Sequence, residues 1–143
     1  MVRLMLLAAL GFAVLAGPAL PTTPPPSGGY QLGILAKTAF DHTAVLRADG
    51  LHLRLSGPQA CLPDGAKEVI RVVVTQRGGA VATGRWAGRC TARAKPWSLT
   101  ARAEARTRFD PGRARACGVG IAYKGTRRND AIQWCADVRL MRP

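Results

Sequence analysis

Between Trp97 and Phe109 the sequence alternates with a period of two. Trp97, Leu99, Ala101, Ala103, Ala105 and Phe109 share one parity, and Ser98, Thr100, Arg102, Glu104, Arg106 and Arg108 share the other. Successive side chains of a strand point to opposite faces, so this pattern predicts a half-buried strand with one apolar and one cationic face. Ala, Arg and Glu favour helices, but helical spacing would scatter these apolar residues around the axis. A strand of this kind needs further strands to cover its apolar face.

The flanking sequence supplies them. Leu51, Leu53 and Leu55 alternate with His52, Arg54 and Ser56, and the pattern ends at Gly57-Pro58. The β-branched run Val69 to Thr75, inside Lys67 to Gln76, predicts a central, well-covered strand. Gly78-Gly79 is a hairpin turn signal with a returning strand over Ala80 to Trp86, and Gly88 to Ala94 carries Cys90 on a further strand or its edge. Asp110-Pro111-Gly112 combines a preset proline φ with a permissive glycine and predicts a turn. Arg113 to Tyr123, a turn over Gly125 to Asp130, and a last strand over Ala131 to Met141 complete the series. Tyr30 to Phe40 and Ala44 to Leu46 are shorter candidates. About seven strands, turn signals roughly every ten residues and no convincing helix predict an all-β sandwich or barrel. Trp86, Trp97 and Trp134 are assigned to its core.

The first residues are of another kind. Met1 to Ala16 opens with Arg3, continues as an apolar run from Leu4 to Leu15 and ends in small residues, the pattern of a secretory signal peptide. The run is too short for a comfortable membrane span, and no later stretch is apolar enough for one. Residues 17–29 are rich in Pro and Gly and predict a disordered spacer. That leaves 30–143 as a single β-domain, expected to be secreted or associated with the cell wall.

Cys61, Cys90, Cys117 and Cys135 make an even count in a small exported chain, which argues for two disulfides. There is no Cys-x-x-Cys pair, and neither a metal nor a cofactor is expected. Pairing the last two strands as a hairpin centred on Thr126 sets Cys117 opposite Cys135, Gly118 opposite Trp134 and Gly120 opposite Ile132. Bulky residues then face glycines on one side and the two cysteines meet on the other, leaving Cys61 with Cys90. Strands adjacent in sequence but placed in different sheets would break this register and open other partners to Cys61.

The stretch Leu53 to Cys61, then Val72-Val73-Val74-Thr75-Gln76, Gly79, Ala82-Thr83-Gly84, Cys90, Trp97 and Phe109-Asp110-Pro111-Gly112-Arg113-Ala114, resembles small secreted proteins of high-GC Gram-positive bacteria. The resemblance spans residue 50 to the C-terminus. It implies an immunoglobulin-like antiparallel β-sandwich and a disulfide between the first two cysteines, and it implies no activity. The high arginine content and the second cysteine pair depart from the family's pattern.

The formal net charge is +13, carried mostly by arginine. Such a chain is drawn to polyanions outside the cell, although its arginine-rich segments lack the interleaved aromatics of a specific nucleic-acid code. Codon bias towards arginine could produce part of this charge without any binding site. Arg102, Arg106 and Arg108, joined by Arg113 and Arg115, are the candidate polyanion-binding residues. Catalytic residues are not expected. His42 and His52 are the only histidines, Glu104 sits among arginines as a charge-balancing residue, and neither a Gly-x-Ser-x-Gly elbow nor a histidine metal cluster occurs. The function expected is a non-catalytic binding or structural module, with anionic wall polymers or an extracellular protein as partner. The alternative is a secreted protease inhibitor with a reactive loop braced at Cys61-Leu62-Pro63 or near Cys90.

Overall fold

The computed structural model describes residues 38–143; the expected signal peptide, the spacer and residues 30–37 lie outside them. The described chain is all-β. Its strands are β1 (Thr43–Leu46), β2 (His52–Gln59), β3 (Lys67–Thr75), β4 (Val81–Arg89), β5 (Lys95–Ala103), β6 (Gly112–Lys124) and β7 (Arg127–Met141). They pair in the order β1-β2-β5-β4-β3-β6-β7, and β1 closes the ring by running parallel to β7. The expected antiparallel sandwich is thus met in its strand content and replaced in its architecture: one closed barrel takes the place of two separate sheets.

Small inward residues make that curvature feasible. Ala114, Ala116, Gly118, Gly120 and Ala122 of β6 are all buried, and they let the sheet bend tightly round large side chains from the opposite wall. Gly118 stands opposite Trp134, and a Cβ built on it would lie 2.6 Å from the Trp134 ring. Phe40 packs between Trp97 and Trp134, with ring centroids 5.6 and 5.5 Å away. Trp97 is buried and its indole N–H donates to the Pro58 carbonyl at 3.2 Å. Leu46, Leu53, Leu55, Ile70, Val72, Val74, Leu99 and Leu140 fill the remaining interior. The core tryptophans are as expected, with Trp86 and Trp134 only partly buried at its margin.

The β6–β7 hairpin has the register the sequence suggested. Cys117 faces Cys135, and Gly120 faces Ile132. Both expected disulfides are present, Cys61–Cys90 and Cys117–Cys135. The first closes one end of the barrel beside Ala122; the second lies on the outer wall. β3 is central, paired along its full length with β4 and β6. Its outer face is only partly covered, because Val69 is buried while Val73 is 44 % exposed.

The strand expected from Trp97 to Phe109 is shorter than its alternation suggests. β5 ends at Ala103, Glu104–Arg106 forms a short 3-10 turn, and Ala105 is exposed. The chain then crosses the barrel mouth from β5 to β6, which are not neighbours in the ring. Phe109 plugs that mouth, 1 % exposed. Its place in the core comes from this crossing segment and not from strand parity.

Candidate functional site

The crossing segment builds the arginine site. Arg102 projects from the outer face of β5, in register with His52 of β2 and Thr83 of β4. After Ala103, the backbone enters the left-handed region at Ala105 (φ 51°) and Arg106 (φ 55°). Neither is glycine, and each costs on the order of 1–2 kcal/mol that the surrounding contacts must offset. Those contacts are on both flanks of the turn. The Ala103 N–H donates to Leu51 O at 2.8 Å and the Phe109 N–H to Gly50 O at 2.8 Å. Gly50 itself needs a φ of +68°, and a Cβ there would lie 3.1 Å from the Phe109 carbonyl oxygen and 3.2 Å from Arg108 Cβ.

The result is a cleft of about 420 Å³ lined by Leu51, Arg102, Ala103, Arg106 and Arg108. All three arginines are exposed, and no carboxylate among the described residues lies within ion-pair distance of them. His52 is engaged elsewhere, its Nδ1 2.7 Å from Asp49 Oδ2. The Leu51 N–H, and then His52, hold the Asp49 carboxyl below its ordinary range. Glu104 is exposed on the turn.

Arg113 and Arg115 do not join this cleft. They project from the outer face of β6, on a wall separated from β5 by other strands in both directions round the ring. Arg115 is paired with Asp137 at 3.2 Å. Arg113 lines a groove with Thr75, Gln76, Arg77, Arg115 and Asp137, and a second with His42, Asp137 and Arg139. The five candidate arginines therefore divide three and two. Arg77 and Arg139 are additional basic residues of the second region. Arg139 was open to inference from the hairpin register, which sets it opposite Arg113.

The other end of the barrel holds a group that sequence reasoning passed over. Glu68 is fully buried beside the Cys61–Cys90 disulfide, and its Oε1 has no hydrogen-bond partner. Burial pushes its carboxyl up to about 7. Its parity with Ile70, Val72 and Val74 was the available signal, since it places Glu68 on the inward face of β3. Cys61, Glu68 and Cys90 are the described residues whose donor atoms cluster closely enough to hold a metal. No protein-family model matches the chain, and no match to it was found among curated proteins.

Proposed function

We propose that the protein is a secreted, non-catalytic module that binds an anionic polymer through Arg102, Arg106 and Arg108. The observation that carries this reading is that three exposed arginines, free of carboxylate partners among the described residues, line one cleft beside a turn whose backbone is held in a costly conformation. Guanidinium forks match phosphate and carboxylate oxygens in bidentate geometry. Leu51 and Ala103 supply the apolar part of the cleft's lining. Two disulfides support maturation in an oxidising compartment. No helix among the described residues is long and apolar enough to cross a membrane. Kinship with the small secreted proteins of high-GC Gram-positive bacteria is part of the same proposal.

The protease-inhibitor reading has less support. A reactive loop presents extended backbone to its target, whereas Cys61 to Ala66 folds back on itself. The Gly65 N–H donates to Cys90 O at 2.9 Å and the Ala66 N–H to Pro63 O at 3.1 Å.

The test is binding of polyphosphate and of a polyuronate across a salt series. Neutralisation of about three charges gives a log–log slope on the order of −2 to −3. The triple variant R102A/R106A/R108A should lose most of the affinity and of the slope, while the outer-wall control R71A/R85A keeps both. Equal binding by the triple variant and the parent would refute the assignment.

A further inference from the structure

The Glu68 site is independent of the arginine cleft. Glu68 Oε2 lies 3.1 Å from Cys61 Sγ, and the buried Gln59 points its Oε1 at the same sulfur from 3.6 Å. A disulfide sulfur carries no proton, so neither approach is a hydrogen bond. With Glu68 ionised, oxygen acceptors and sulfur lone pairs face one another with no donor between them, and Glu68 Oε1 is without a hydrogen-bond partner. The equivalent inward positions along β3 are Ile70, Val72 and Val74. Glu68 thus sets a carboxyl, aimed at the Cys61 sulfur, where that series otherwise places apolar side chains.

We infer that the reduced chain holds a zinc-class divalent cation between Cys61 Sγ, Cys90 Sγ and a Glu68 carboxylate oxygen, with Gln59 Oε1 in reach of the fourth position. The Cys61, Glu68 and Cys90 donors already lie within 4.8 Å of one another. Zinc bonds of about 2.3 Å to thiolate and about 2.0 Å to carboxylate in a tetrahedron place donors on the order of 3–4 Å apart. Cleaving the disulfide lets the two sulfurs separate towards that spacing while Glu68 stays in place. With a water-soluble phosphine as reductant, the S–S bond breaks, each sulfur gains a proton and the phosphine becomes its oxide with oxygen from water. The cation then displaces both thiol protons to solvent. Cation and disulfide are alternative staples for one barrel end, joining the segment after β2 to the segment after β4.

The experiment uses the full chain carrying Cys117→Ser and Cys135→Ser, so that one cysteine pair remains. The protein is reduced with the phosphine, desalted without oxygen and titrated with Co(II). One Co(II) per chain should bind, with thiolate charge-transfer bands and the intense visible bands of tetrahedral cobalt, which zinc bleaches. Adding Glu68→Gln should lower the affinity at least about tenfold and alter the visible bands, and the oxidised protein should give no thiolate bands. If the reduced, metal-free chain loses its far-ultraviolet strand signal, zinc should restore it. Absence of thiolate bands, a Glu68→Gln titration identical to the parent, or an unfolded reduced chain that zinc does not refold would each overturn the inference.

Discussion

The side-chain amide of Gln76 grips the backbone of Asp110 from both sides. Its Nε2 donates to Asp110 O at 2.9 Å, and its Oε1 accepts from the Asp110 N–H at 3.0 Å. Gln76 opens the β3–β4 turn and Asp110 ends the crossing segment, so one side chain ties the mouth of the barrel to the loop that carries Arg106 and Arg108. Gln76→Ala should cost about 1–3 kcal/mol in urea denaturation. It should also weaken polyphosphate binding, although Gln76 does not line the arginine cleft. Unchanged affinity would mean that Phe109 and the Gly50 contact hold the loop unaided.

Glu68 makes stability depend on pH in an unusual direction. Burial raises its carboxyl from an ordinary 4.5 to about 7. Between those values the folded chain binds more protons than the unfolded one, so this group's contribution falls as pH rises and the loss is complete above about 7. Each unit corresponds to about 1.4 kcal/mol, which gives a loss of about 3 kcal/mol across the window. In the oxidised protein, Glu68→Gln should match the parent near pH 4 and exceed it in urea midpoint at pH 8. A parent-minus-variant difference that does not change with pH would contradict this.

The two disulfides should respond differently to a limited dose of dithiol. Cys135 is exposed on the outer wall and Cys117 half-buried, whereas Cys61 and Cys90 are 0 % and 1 % exposed. Attack requires access to sulfur, so alkylation mapping at short times should label Cys117 and Cys135 first. Replacing that outer pair by serine should cost about 3 kcal/mol for its separation of 18 residues. Labelling of Cys61 at the same rate would show that its barrel end opens readily.

Gly118→Ala should be disproportionately costly for a single methyl group. The new Cβ would lie 2.6 Å from the Trp134 ring, and that ring is also packed against Phe40. A penalty of about 1–3 kcal/mol should accompany a changed near-ultraviolet tryptophan signal. An unaltered signal would mean that the backbone yields and the indole stays.

What could be read from the sequence was local or strictly periodic. The pairing of Cys117 with Cys135 followed from two strands and the turn at Thr126, all within one hairpin. The inward parity of Leu53 and Leu55 needed only the pleat of one strand. Closure was not legible, because it rests on Ala82 meeting Ala103, Thr83 meeting Arg102, and β1 meeting β7, none of which leaves a periodic trace. The break after Ala103 was hidden for a related reason. Its left-handed turn uses Ala105 and Arg106 where a glycine would have announced it, and tertiary contacts override the local preference. Arg102, Arg106 and Arg108 do converge, but a turn gathers them instead of a single strand face.

The parallel pairing of β1 with β7 joins Thr43 to Arg139 and Val45 to Met141. For a chain emerging from the ribosome, the consequence is a delay. β1 is delivered early and has to wait until Arg139 to Met141 have been made before its outer edge is satisfied. Such long-range pairing slows folding, and until it forms the unpaired edge can recruit another chain. Trimming Arg139 to Met141 would return the finished protein to that waiting state, with two raw edges and a tendency to self-associate.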